Sequence, residues 1–188
     1  MALPLTPPGE ACWRLLSQTE DEQPRAVFAL LDGARVRLLP GLLEETPDVE
    51  YECLFPGETD PVELTRAPYL VRVKEDSEIC RWLLDEGWGK SWGIYVLCRQ
   101  GTELDPVLRD LRELLQARLP DGRVVRFRFF DPRVWRPFFP TCDARQVRRL
   151  FGRAVEAFAC EDADGRAVLM ESARNGLPQR RKHPLPHD

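Results

Sequence analysis

Residues 68–98 read PYLVRVKEDSEICRWLLDEGWGKSWGIYVLC. After Pro68, the residues Tyr69, Val71 and Val73 alternate with Leu70 and Arg72, the two-residue period of a strand. Asp76 or Ser77 stands where a helix cap is needed, Ile79, Trp82 and Leu83 form one apolar stripe behind it, and Gly87 supplies the stop. Trp92 to Cys98 then reads as a second strand. A strand, a helix and a strand within about thirty residues place one sheet at the centre of the fold with a helix against it.

Working outward, the same signals recur. Upstream, Ala26 to Leu31 is a short apolar run closed by Asp32-Gly33, a buried strand ending in a turn. Ala34 to Glu45 has helical character, interrupted by Pro40-Gly41. Val49, Tyr51, Cys53 and Phe55 alternate with Glu50, Glu52 and Leu54 until Pro56-Gly57, a half-buried strand with an acidic face. Downstream, a helix starts at Thr102 or Asp105, with Leu104, Val107, Leu108, Leu111, Leu114 and Leu115 on one stripe. Pro120-Asp121-Gly122 reads as a turn, and Arg123 to Phe130 as a strand with Val125, Phe127 and Phe129 opposite Val124, Arg126 and Arg128. Asp131-Pro132 opens a helix as N-cap and first residue, and Asp143 caps another that carries Val147, Leu150 and Phe151. Val155 to Cys160 and Arg166 to Glu171 form a hairpin across Asp162-Ala163-Asp164-Gly165. The class is α+β: a single domain over 25–172 with one principal sheet flanked by helices and a C-terminal β-hairpin. A loosely attached, proline-rich arm (1–24) precedes it, and a disordered basic tail (173–188) follows.

At 188 residues with 43% hydrophobic and 31% charged residues the chain has the composition of a globular domain. It lacks the roughly 20-residue apolar stretch of a membrane helix, and its first residues lack the basic start and apolar run of a secretory leader, so a cytoplasmic location is expected. The six cysteines are scattered, without a C-x-x-C pair, and the two histidines, His183 and His187, fall near the end of the chain. Reduced, buried thiols are expected, with no metal site and no cofactor. The net charge of −4 conceals asymmetry. Met1 to Pro68 holds 5 basic and 13 acidic residues, whereas Arg123 to Arg153 holds 9 arginines against Asp131 and Asp143. Such a lopsided field orients partners.

The Gly89-Lys90-Ser91 triplet invites a phosphate-loop reading, which fails twice. Leu84 stands where the first glycine is required, and Ser91 is followed by a strand pattern where the phosphate needs a helix N-terminus. Hydrolase chemistry has no G-x-S-x-G elbow and no histidine in the body to act as base, so no catalytic residues are expected. The arginines of 123–153 interleave with Phe127, Phe129, Phe130, Trp135, Phe138 and Phe139. That composition suits a protein interface, and it also permits an alternative, a nucleic-acid-binding module working through phosphate contacts and stacking. A sequence pI near 5.4 makes nucleic acid the weaker choice.

Read in order, Leu31-Asp32-Gly33-Ala34, Ala67-Pro68-Tyr69-Leu70-Val71, Trp82-Leu83-Leu84-Asp85-Glu86-Gly87-Trp88-Gly89, Trp92-Gly93-Ile94-Tyr95 and Phe127-Arg128-Phe129-Phe130-Asp131-Pro132-Arg133-Val134 resemble the type VI secretion effector adaptors, a family long catalogued as a domain of unknown function. The resemblance covers roughly Ala26 to Phe151. It implies a non-enzymatic chaperone that binds a cognate toxic effector and delivers it to the C-terminal region of the spike protein VgrG. Within the motifs, Gly87, Gly89 and Gly93 are expected at turns or close backbone approaches, Trp88 and Trp92 at the core rim, Phe127 in the core, and Arg128 bonded to Asp131 beside Pro132. Arg133, Trp135, Arg136, Phe138 and Phe139 are the candidates for partner contact.

Overall fold

Strand β1 (Arg25–Asp32) is buried along nearly its whole length, because helices cover both faces of the sheet it occupies. In the computed structural model, which describes residues 4–57, 60–119 and 121–186, Phe28 and Leu30 point to one face and Val27, Ala29 and Leu31 to the other. That explains the unbroken apolar run: an antiparallel strand alternates only when one face meets water.

The other strands are β2 (Tyr51–Cys53), β3 (Pro68–Val73), β4 (Gly93–Arg99), β7 (Val155–Glu161), β8 (Ala167–Arg174) and β9 (Leu177–Pro184). They assemble as an antiparallel seven-stranded sheet in the order β2-β3-β1-β4-β7-β8-β9. On one face lie helices α5 (Leu104–Arg112), α6 (Pro132–Phe138) and α7 (Ala144–Phe151), which pack Leu111, Trp135, Val147 and Leu150 against Phe28, Val96 and Phe158. On the other lie α1 (Pro7–Ser17), α2 (Leu39–Glu45) and α4 (Glu78–Arg81), the last continuing as a π-helical turn over Trp82–Gly87; here Leu16, Leu39 and Leu83 meet Ala29, Val71 and Leu97. A short helix, α3 (Pro61–Leu64), precedes β3, and a separate two-stranded ribbon pairs β5 (Gln116–Arg118) with β6 (Val124–Arg126). The mixed α+β class read from the sequence is the observed one.

Several local expectations hold: Ser77 caps α4, Asp131 caps α6 ahead of Pro132, and Asp143 forms a capping box with Gln146 on α7. Others need correction. The arm over 1–24 is not loose where it is described. Thr6 caps α1, its hydroxyl bonds Asp85 at 2.7 Å, and Cys12, Trp13 and Leu16 are core residues. Pro7-Pro8 look like a loop signal but sit in the first helical turn, where proline is pre-organised and no amide donor is missed. The tail over 173–188 is not disordered over its described part: β9 pairs with β8 from Arg174↔Leu177 to Ala167↔Pro184. The turn between them is Asn175-Gly176, both with positive φ, the two-residue loop that matches strand twist. His187 and Met1–Leu3 lie outside the described residues, as does Pro120 of the expected turn. The expected helix over Ala34–Glu45 begins only at Leu39, the long helix ends at Arg112, and the strand expected over Arg123–Phe130 keeps only Val124–Arg126, on the ribbon and not in the main sheet. Among the described residues, no helix is long and apolar enough to cross a membrane.

Candidate partner-binding face

The segment Gly87–Gly93 does bind an oxyanion, and the oxyanion belongs to the protein. Glu161, at the end of β7 and 5% exposed, accepts hydrogen bonds from the Gly89 amide at 2.6 Å, the Ser91 amide at 2.8 Å and the Ser91 hydroxyl at 3.1 Å. Burial pushes the Glu161 carboxyl up from its ordinary range, opposed by those donors. Glycine is required for geometric reasons. At Gly93 a Cβ would fall 2.1 Å from the Leu30 carbonyl oxygen, and at Gly87 it would enter the Trp92 ring. Gly89 has φ +82° and abuts Gly165 in the β7–β8 turn, whose carbonyl accepts from Trp88 Nε1 at 2.9 Å. Trp88 and Trp92 are half-buried, Trp92 packing against Trp82 in a tilted pair with centroids 4.4 Å apart.

The second motif segment, Phe127–Val134, also meets carboxylates. Arg128 donates to Asp32, a fully buried residue at the end of β1 whose other oxygen accepts from the Ala34 amide. The expected Arg128–Asp131 bond is therefore replaced by one across 96 residues of sequence. Asp131 has other partners: it caps α6 through the Arg133 amide at 2.9 Å and holds the Arg133 guanidinium at 2.7 and 3.0 Å. Burial raises the Asp32 carboxyl despite Arg128. At Asp131 burial is outweighed, and the bonds from Arg133 hold its carboxyl below the usual range. Phe129 is fully buried; Phe127 is half-buried.

The five contact candidates are not one surface. Trp135 and Phe139 are fully buried, and Trp135 Nε1 donates to the buried Glu171. Trp135 of α6 packs on Phe158 of β7, and Phe139, in the 3-10 turn that follows α6, stacks on Trp135 and meets Phe151. Arg136 reaches inward to the Glu161 and Asp162 carbonyls at 3.2 and 3.4 Å. Arg133 is half-exposed but tied to Asp131. Phe138 alone presents apolar surface, and it does so beside Phe127, edge to face at 4.7 Å.

Those two rings open onto a cleft of about 180 Å³ between the β5–β6 ribbon and α7, floored by Leu114, Ala117, Phe127, Phe138 and Leu150 and rimmed by Arg118, Gln146 and Arg149. Arg118 and its strand β5 went unread because a three-residue strand carries too little pattern to register. The one signal was Arg145, Arg148 and Arg149 on the polar side of a strongly amphipathic α7.

Helices on both faces of an antiparallel sheet, with motif residues fastening loops to buried carboxylates, define an α+β scaffold that carries, among other surface clefts, an apolar, arginine-rimmed one. Residues 27–149 match the family model described as Domain of unknown function (DUF4123), and the chain belongs to that family. No curated protein and no solved structure matches it.

Proposed function

We propose that this chain is a type VI secretion adaptor, a non-enzymatic cytoplasmic chaperone that binds a cognate toxic effector and hands it to the C-terminal region of VgrG. The observation that carries the reading is one of coincidence: the family match over 27–149 takes in every motif segment of the resemblance, from Leu31 to Val134. The motif residues support a scaffold role, since Gly87 and Gly93 permit close approach of the Trp92 ring and of β1, and Arg128 ties its segment to Asp32 at the end of β1. The nucleic-acid alternative loses its stacking platform, because Trp135, Phe129 and Phe139 are inside and Phe127 packs edgewise on Phe138.

The test is co-expression of the tagged chain with candidate toxins and the C-terminal regions of VgrG proteins from the same genome. A complex containing the toxin, and joined by the VgrG region, is the expected outcome on size exclusion. A chain that elutes alone from both overturns the proposal.

A further inference from the structure

We infer that the cleft between the β5–β6 ribbon and α7 is the docking site for an acidic amphipathic segment of the effector, with a large apolar side chain seated against Phe127 and Phe138 and carboxylates on Arg118 and Arg149. This rests on the adaptor reading and adds to it the surface and the chemistry recognised.

The argument begins with charge. Several exposed arginines nearby have carboxylate partners: Arg123 with Asp121, Arg126 with Glu63 and Arg133 with Asp131. Around the cleft, Arg118, Arg145, Arg148 and Arg149 are exposed, and none forms a salt bridge among the described residues. Two of them are already positioned by backbone carbonyls, Arg118 on Gly122 at 3.2 Å and Arg149 on Glu113 at 2.7 Å, which leaves further guanidinium donors for an incoming carboxylate. The acidic group closest in α7, Asp143, is engaged in the capping box.

The apolar floor supplies the other half. Its side chains come from the turn after α5, the ribbon and the segment that follows it, α6 and α7, so the cleft is built by tertiary structure and not by one flexible element. About 180 Å³ is small beside the roughly 300–1,000 Å³ of a drug-sized ligand site, and it suits one anchoring side chain of a larger partner.

The experiment places a photo-crosslinking phenylalanine analogue at Ala117 of the full chain, co-expressed with the toxin that co-purifies with it, and a second one at the exposed Leu177 as control. Crosslinks from position 117 are expected to map to one effector segment in which acidic residues flank a large apolar one, with none from position 177. Arg118→Glu combined with Arg149→Glu should weaken toxin binding at least tenfold, and replacing the flanking effector acids with lysine should restore it. Should the double variant fail to fold, the position-117 crosslink decides alone. The cleft assignment is overturned, with the adaptor reading intact, if toxin binds the wild-type chain but crosslinks only elsewhere or binds the double variant normally. Crosslinks to nucleic acid or to a second copy also overturn it, and a toxin that never binds wild type removes both proposals.

Discussion

The two motif segments of this domain hold buried carboxylates by opposite means. Around Glu161 the donors are two backbone amides and a hydroxyl from the Gly89–Ser91 loop, and among the described residues no guanidinium forms a salt bridge with it. Around Asp32 the charge is met by a guanidinium, Arg128, whose side chain remains 43% exposed. An amide cradle needs the backbone in one place, so it demands glycine where another strand or ring comes close. A guanidinium reaches from a distance and tolerates the backbone it finds, at the cost of being partly screened by solvent. The first arrangement is therefore brittle and the second gradual.

The largest expected effect tests the brittle side. Gly93→Ala drives a Cβ into the Leu30 carbonyl between β1 and β4, two central strands that cannot separate without opening both core layers. Destabilisation beyond about 4 kcal/mol is expected in urea unfolding, or loss of soluble protein. Gly41→Ala is the matched control: it lies in α2 with nothing within 4 Å of the added methyl, and it should stabilise by roughly 0.5–1 kcal/mol. Equal behaviour of the two variants would show that close approach is not what fixes glycine in the motif.

A third carboxylate adds pH to the comparison. Glu171 on β8 is fully buried, accepts from Trp135 Nε1 and is bonded by Arg180, yet burial outweighs Arg180 and pushes its carboxyl up to about 7 from an ordinary 4.5. The folded state thus binds the proton more tightly than the unfolded one. Between about 4.5 and 7 stability falls as pH rises, and the contribution is complete below 4.5 and lost above 7. Relative to Glu171→Gln, the wild type should lose on the order of 3 kcal/mol between pH 4.5 and 8. A wild type that gains on the variant over that range would mean that the guanidinium, not burial, governs the site.

What the sequence made legible follows from how far each signal reaches. Caps and stops are local, and Ser77, Asp131-Pro132 and Asp143 were readable where they stand. The β7–β8 hairpin announced itself through its turn, whereas the Asn175-Gly176 turn went unread, because the basic, half-exposed edge strand behind it buries little and resembles a solvated tail. Pro7-Pro8 hid α1 for a related reason: proline marks both loops and first turns. The candidate site was less legible. Trp135 and Phe139 stand among arginines on a short helix and the turn after it, and only their packing on Phe158 of β7 and Phe151 of α7 decides that the rings face inward. The partner of Arg128 lies 96 residues away, beyond any spacing rule.

That distant partner sets the smallest and most discriminating test. If Arg128 serves Asp32, then Arg128→Ala leaves a fully buried carboxylate with only the Ala34 amide, and Asp32→Asn leaves a half-exposed guanidinium that water can satisfy. The losses should be unequal, about 1–2 kcal/mol for Arg128→Ala when discounted for the exposure of that side chain. The double variant should recover part of the sum, with a coupling of about 1 kcal/mol. The parallel cycle of Arg128→Ala with Asp131→Asn should show coupling within about 0.5 kcal/mol, since Asp131 is occupied by Arg133 and its own helix cap. Reversal of the two couplings would return Arg128 to the short-range pairing that its neighbourhood in sequence proposes. Equal couplings would make Asp32, Arg128, Asp131 and Arg133 a single network, in which the gradual behaviour assigned to the guanidinium side would give way to the all-or-none behaviour of the glycine loop.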